Sequence, residues 1–290
     1  MKRTSAIFFY TLYGGLAVGF FLYLLFPSIV VRDLLVDRIH QAHPQLRVHV
    51  NEVHPTFPPG LRLTPLSLVY AEMPIISMVH LKLLPGLISM LGSQKEMAYS
   101  GVIDGGGALT GNVRMLQDAP EPKLNGTLNL SGIPLEGIAL LKQLPQVALT
   151  GLMTTFVDFD THKGPGGTAN LSIDMTPVRV TFKAPLLGLE QLDFSRIQSD
   201  LIVTPRMLQI KQIDATGAQI EARVTGSIVF RFPLKDSRLN LSCTLKPQAG
   251  FVAEQKNTMV GALLASSAAQ QRGVIVRIAG TLEKPNYVVR

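Results

Sequence analysis

The chain has 290 residues, 47% apolar and only 16% charged, and its net charge at pH 7 is +7. Such an apolar and regularly patterned composition excludes a disordered chain, and the length suffices for one large domain or two ordinary ones. No basic run with interleaved aromatic residues occurs, so nucleic-acid binding is not expected, whereas a mild basic excess suits an anionic membrane surface. Cys243 is the single cysteine, so a disulfide within the chain is excluded.

The first predicted element is an uncharged apolar segment, residues 6–26, preceded by Lys2 and Arg3. A helix of this length spans about 30 Å, the hydrocarbon thickness of a bilayer, so we predict a transmembrane helix. The alternative, a cleaved signal peptide, requires a shorter apolar run and small residues at a cleavage site. Because positive residues stay in the cytoplasm, Lys2 and Arg3 place the following chain outside it. Gly15 and Gly19 have the GxxxG spacing that lets membrane helices pack closely.

Residues 27–44 are predicted to form an amphipathic helix that leaves the membrane and packs on the first strands. Ser28 is a candidate N-cap, and Pro44 ends the helix. The apolar residues predicted to share one face are Val31, Leu34, Leu35, Ile39 and Ala42.

Beyond Pro44 the apolar residues recur with a period of two, which predicts a mostly antiparallel sheet with one apolar and one polar face. Cys243 lies in such an alternating stretch and is predicted to be a small core residue on a strand face. Helices are predicted at 85–92, 134–144 and 253–271, and the last of these is the longest. Turns are predicted at Gly105–Gly107, Lys163–Gly167, Thr204–Arg206 and Asp214–Gly217.

The pattern apolar-x-Gly-x-apolar recurs five times in the predicted strands. In each copy the glycine and both flanking apolar side chains point to the same face. Glycine weakens a strand, so its repetition needs a cause, and a missing side chain lets a sheet bend toward its apolar face. We therefore predict a large curved sheet, with bulges in an ordinary β-sandwich as the alternative. The five predicted sheet-bending glycines are Gly111, Gly126, Gly151, Gly226 and Gly280.

The sequence offers few groups for catalysis or metal binding. Gly105–Gly107 lacks the lysine of a phosphate-binding loop, and no nucleophile elbow occurs. Asp158 and Asp160 share a strand face and are interpreted as solvated carboxylates. A zinc site would need ligands beyond the group of histidines, which prolines interrupt: His40, His43, His49 and His54. No catalytic residue, metal or cofactor is predicted, and an envelope enzyme is the least favoured hypothesis.

The order of several motifs resembles that of the type II secretion system protein N (GspN) family and, more loosely, of AsmA-like envelope proteins. The motifs that follow the apolar segment are Leu84–Gly92 leading into Tyr99–Gly111, Ser131–Ile138 with Leu149–Gly151, and Ile278–Pro285 at the end. The first resemblance implies a bacterial inner-membrane protein with a periplasmic β-rich body that contacts other secretion subunits. The AsmA-like resemblance implies a groove-shaped sheet that holds lipid acyl chains. The family has no agreed catalytic residues, so none are carried over.

Together these observations predict a single-pass inner-membrane protein with a cytoplasmic N-terminus. The predicted function is a structural or assembly role in type II secretion, and the alternative is lipid binding or lipid transfer on the apolar face of the sheet. The predicted parts are a cytoplasmic tail (1–5), a transmembrane helix (6–26), an amphipathic connecting helix (27–44) and a periplasmic β-rich domain (45–290).

Overall fold

A computed structural model describes residues 10, 13–15, 17–21, 23–70, 73–86, 89, 92, 94–116, 123–138, 141, 147–162, 166–186, 189–254 and 273–289. The chain is mainly β, and its strand pairs are antiparallel, as the alternating sequence predicts. It divides into two compact units, residues 1–84 and 85–290. The stretch 45–290, predicted as one β-rich domain, is therefore shared between the two units.

The first unit contains helical residues between Tyr10 and Leu24, a helix and three strands. The strands pair in chain order, β1 with β2 and β2 with β3. Their bounds are α1 Ser28–Ala42, β1 Leu46–Thr56, β2 Gly60–Tyr70 and β3 Met73–Pro85. Among the described residues, no helix combines the length and the apolar character needed to cross a membrane.

Helix α1 packs against β1, as predicted for a connecting helix. Arg32 donates a hydrogen bond from Nη1 to the carbonyl oxygen of Asn51 at 3.3 Å, which ties the first turns of α1 to the middle of β1. Two details of the prediction are wrong. Ser28 is the first helical residue rather than the N-cap, a position that Pro27 occupies without a side-chain cap. Leu34 is 58% exposed, so it does not belong to the packed face.

The second unit is built on strands β4–β14, which pair in chain order in one open sheet. A single open sheet is not the two-layer β-sandwich considered as an alternative. The strand bounds are β4 Gln94–Ile103, β5 Ala108–Leu116, β6 Lys123–Pro134, β7 Val147–Asp160, β8 Thr168–Leu186, β9 Leu189–Val203, β10 Met207–Gly217, β11 Ile220–Val229, β12 Arg238–Pro247, β13 Val274–Thr281 and β14 Pro285–Val289.

Most predicted turns of this unit lie between strands, but one does not. Gly105–Gly107 joins β4 to β5, and the hydroxyl of Thr204 closes the β9–β10 turn by bonding the backbone of Met207. The prediction of a turn at Asp214–Gly217 is wrong, because these residues continue β10 and pair with both β9 and β11. The cross-strand pairing of Asp214 and Thr216 outweighs the turn preference of Asp and Gly in this stretch.

Helical structure in the second unit is short. A 3-10 turn covers Leu135–Gly137 where a longer helix was predicted, and another covers Leu234–Asp236. Helix α2, Ala249–Glu254, buries Phe251 against Ile220. Most of the helix predicted at 253–271, and parts of those at 85–92 and 134–144, lie outside the described residues.

Candidate functional site

One face of the second unit's sheet is apolar across all its strands, because the register places apolar residues opposite each other from one strand to the next. Three adjacent rows, which we call the apolar strip, can be followed across the sheet. The middle row is Tyr99–Gly111–Leu128–Val157–Leu171–Leu201–Ile210–Gly226–Leu241–Ile278–Tyr287. The flanking rows are Gly101–Leu109–Leu130–Thr155–Ile173–Ser199–Ile213–Val224–Cys243–Val276 and Met97–Val113–Gly126–Phe159–Ala169–Val203–Leu208–Ile228–Leu239–Gly280–Pro285.

No residue of the three rows carries a charge. With about 4.8 Å between strands and about 3.3 Å per residue along a strand, the strip measures roughly 48 Å across the strands and 13 Å along them. The strip therefore covers roughly 600 Å², the upper end of the range found for the largest apolar patch of a soluble monomer, and patches of that size are often binding surfaces.

Most side chains of the strip are only half-buried. Within its rows the buried hydrophobic side chains are Leu109 and Ile210, at 8% and 7% exposure. A two-layer core would bury nearly all of these positions. The strip therefore keeps apolar surface that another apolar molecule can cover.

The opposite face of the sheet is polar and holds cross-strand ion pairs. Arg196 pairs with Asp174, and Arg223 bonds Asp214 at 2.7 Å. These hydrogen bonds, more than the charges themselves, lower the pKa values of Asp174 and Asp214 below the ordinary value. The two faces thus present different chemistry, an uncharged strip on one side and paired charges in water on the other.

Two of the predicted sheet-bending glycines lie beneath aromatic rings. Gly111 in β5 lies opposite Tyr99, and a Cβ atom at Gly111 would come within 2.6 Å of that ring. The Tyr99 hydroxyl donates to the carbonyl oxygen of Thr127 at 2.7 Å, and burial raises its pKa. Gly126 in β6 lies opposite Phe159, whose ring would be 2.9 Å from a Cβ there. Each ring fills the space that the missing side chain leaves.

The other three glycines have backbone angles that favour glycine. Gly151 in β7, Gly226 in β11 and Gly280 in β13 have φ values of +140°, +139° and +98°. The β7–β8 register shifts between Gly151 and Met153, which places a bulge where the bulge alternative expects one. Gly111, Gly126, Gly226 and Gly280 belong to the rows of the strip, and Gly151 lies opposite Val178. The role of the five glycines in bending the sheet stays a prediction.

Two small hydroxyl side chains interrupt the strip, a feature that the sequence interpretation missed. Thr155 and Ser199 flank Ile173 on neighbouring strands and are 5% and 6% exposed. The Oγ1 atom of Thr155 has no hydrogen-bond partner among the described residues. The fully buried Leu135 belongs to the 3-10 turn that contacts β7. The sequence does contain a signal for this feature, because Thr155 stands at an apolar position of the period-two pattern, between Met153 and Val157.

Cys243 lies in β12 within the strip, half-buried, and burial raises the pKa of its thiol. Cys243 lies on the strand face that the alternation predicts, but it is half-buried and is not a core residue. The raised pKa leaves little thiolate, so the site gives no support for a nucleophilic cysteine.

The remaining predicted residues fall elsewhere. Lys2 and Arg3 lie outside the described residues, while Gly15 and Gly19 are helical, with no atom within 4 Å of a Cβ built on either. His49 and His54 point to opposite faces of β1, because they are an odd number of residues apart. Asp158 and Asp160 lie at the end of β7, where Asp160 accepts a hydrogen bond from the backbone of His162 at 2.8 Å.

Comparison of the chain with protein-family models, curated proteins and solved structures gives no match. The resemblance to the type II secretion protein N family and to AsmA-like proteins therefore stays a prediction. The interpretation of the site depends on its geometry alone.

Proposed function

We propose that the protein binds the acyl chains of lipids on the apolar strip and thereby acts as a lipid-binding or lipid-transfer protein of the bacterial envelope. The observation that carries the proposal is the strip itself, three uncharged rows of half-buried side chains in register across the sheet. Covering apolar surface contributes about 2.5 kcal/mol per 100 Å². A lipid chain lying along the strip would bury more than this, whereas the polar face offers it nothing comparable.

The proposal includes an inner-membrane anchor formed by residues 6–26, with the two β units on the periplasmic side. Several described side chains of this segment are large, apolar and exposed, including Val18, Phe20, Phe21 and Leu24 at 58–65%. Such side chains suit a lipid environment better than water. Lys2 and Arg3 supply the positive charge that would keep the N-terminus in the cytoplasm.

The proposal also includes a curved sheet. The aromatic rings over Gly111 and Gly126 and the bulge beside Gly151 are devices that bend sheets elsewhere. A concave strip would surround an acyl chain on three sides and would leave its polar headgroup in water. No catalytic group is assigned to this surface.

A second candidate function is structural, as a subunit that contacts other components of a type II secretion system. The last strand, β14, favours it, because among the described strands β14 pairs with β13 alone. Tyr287 and Val288 are 61% and 46% exposed there. An exposed edge of this kind can accept a strand from another chain. Crosslinking from β14 to a secretion subunit, with no lipid bound to the strip, would favour this function over the first.

The experiment that tests lipid binding uses two neighbouring residues of β12 that point to opposite faces. Leu241 belongs to the strip, and Asn240 lies on the polar face, exposed. We expect Leu241→Asp to reduce the phospholipid that co-purifies with the full chain, measured by mass spectrometry, and Asn240→Asp to leave it unchanged. Circular dichroism of both variants checks that the sheet is intact. Equal lipid in a folded Leu241→Asp variant and in the unmodified chain would refute the proposal.

A further inference from the structure

The turn between β1 and β2 exposes an aromatic side chain at the end of the first unit. Phe57 is 94% exposed, and Pro58 and Pro59 beside it are exposed as well. Nothing in the described part of the chain covers this ring, and water is a poor environment for it. Exposed aromatic rings at the end of a structural unit are typical of side chains that lie at a membrane interface.

A row of basic side chains lies directly behind this turn. The register places His54, Arg62 and Lys82 opposite one another on β1, β2 and β3, on one face of this small sheet. The Nε atom of Arg62 is buried and has no hydrogen-bond partner among the described residues. His54 bonds Glu52 at 3.0 Å. The row contains two cations, Arg62 and Lys82, and the neighbouring carboxylate of Glu52 is bonded to His54. The row therefore remains positive near the turn.

His80 lies on β3 two residues before Lys82. Burial, and then the charges of Arg62 and Lys82, lower the pKa of its imidazole. His80 is thus mostly neutral at pH 7 and adds no charge to the row. The positive charge that remains for a ligand belongs to Arg62 and Lys82.

The same end of the unit carries the N-terminal apolar segment. Helix α1 runs antiparallel to β1, because a short turn joins its C-terminus to Leu46. Its 15 residues reach back about 22 Å, the length of roughly seven strand residues. Ser28 therefore lies alongside the region of Val53, consistent with the bond from Arg32 to Asn51 one turn later. Pro27, which directly precedes Ser28, therefore lies at the same end of the unit as the β1–β2 turn.

We propose that the β1–β2 turn is a second membrane contact, in which Phe57 enters the interface of the bilayer and Arg62 and Lys82 bind the phosphates of anionic phospholipids. The inference rests on the proposed membrane anchor, which would bring the turn to the bilayer surface. An aromatic ring at headgroup depth and cations directed at phosphate are the usual chemistry of such contacts. The contact would fix how the first unit stands on the membrane.

The test exploits the absence of tryptophan from the chain. Phe57→Trp in the full chain introduces a single fluorophore, which is reconstituted into vesicles of phosphatidylcholine and phosphatidylglycerol with brominated acyl chains. We expect the bromines to quench about half of its emission, as for an aromatic ring at the acyl boundary. Tyr70→Trp is the matched control, since Tyr70 is also an exposed aromatic residue of the first unit but lies at the opposite end of β2 from the turn. We expect it to stay unquenched.

The cations are tested in the same background. Arg62→Gln with Lys82→Gln should reduce the quenching of Trp at position 57 about twofold in anionic vesicles, since each cation near the surface adds to the attraction. In vesicles of phosphatidylcholine alone the two substitutions should change nothing. Equal quenching with and without the cations in anionic vesicles would overturn the role of Arg62 and Lys82.

The outcomes separate this inference from the anchor on which it rests. If the chain does not float with vesicles, the proposed anchor fails, and the second contact fails with it. If the chain floats but Trp at position 57 is unquenched, the anchor stands and the second contact is refuted. Quenching of Trp at position 70 to the same extent would also refute it, because the contact would not be specific to the turn.

Discussion

Replacing Gly226 by alanine should destabilise the second unit strongly, although the change adds a single methyl group. Gly226 lies in β11 with a φ of +139°, which costs an L-residue about 1–3 kcal/mol. A Cβ atom there would contact the carbonyl oxygen of Asn240 and would lie 2.8 Å from the Cα of Leu241. Both are backbone atoms of the paired strand, so relieving the overlap costs about 1–3 kcal/mol more.

We therefore expect Gly226→Ala to lower the free energy of unfolding by about 3 kcal/mol, or Tm by about 6–12 °C for a unit of this size. The assay is urea and thermal unfolding of the full chain in detergent, followed by circular dichroism. Gly250→Ala is the matched control, because Gly250 is in α2 and a Cβ there would have no atom within 4 Å. It should gain up to about 1 kcal/mol. A Gly226→Ala variant as stable as the control would refute the account of the close strand approach.

Three further predictions follow from burial and charge. Leu135→Ala should cost about 2–5 kcal/mol in urea unfolding, because Leu135 is fully buried, and Leu152→Ala, 51% exposed, should cost much less; equal losses would contradict the packing. Acidification through pH 4 should lower the free energy of unfolding, because the pKa values of Asp174 and Asp214 are lowered in the folded chain and the unfolded chain therefore takes up protons first. The double variant Asp174→Asn with Asp214→Asn should show a weaker dependence of stability on pH. At pH 8 the Cys243 thiol should react with a thiol reagent at least tenfold more slowly than Leu152→Cys in a Cys243→Ser background, since burial raises the pKa of Cys243; similar rates would contradict the burial.

Much of the sheet could be predicted from alternation, because period-two patterning reports which face of a strand is dry. The stretches around Leu124–Leu130 and Ile220–Val224 show it directly, and both are strands. The pattern also predicts that Gly111 and Gly126 lie between apolar neighbours on one face. It contains no information about the rings over them, because the pairing of Tyr99 with Gly111 depends on long-range register.

Where local chemistry and pairing disagree, pairing decides the structure. Asp214–Gly217 has the composition of a turn, yet it lies in β10 between two paired strands, and the Asp214 carboxylate bonds Arg223 across β11. The strip also depends on register, since a slip of one residue would move its side chains to the polar face. One sequence shows each strand's apolar face but not which strands are neighbours, so the strip becomes visible only in the structure.

The most direct measurement of the central claim is photo-crosslinking in intact cells, before any detergent is added. A benzophenone amino acid replaces Ile278 of the strip in one variant and its neighbour Arg277, exposed on the opposite face, in another. Binding of acyl chains to the strip predicts phospholipid adducts at position 278, detected by mass spectrometry, and none at position 277. Adducts at neither position, or equally at both, would contradict it.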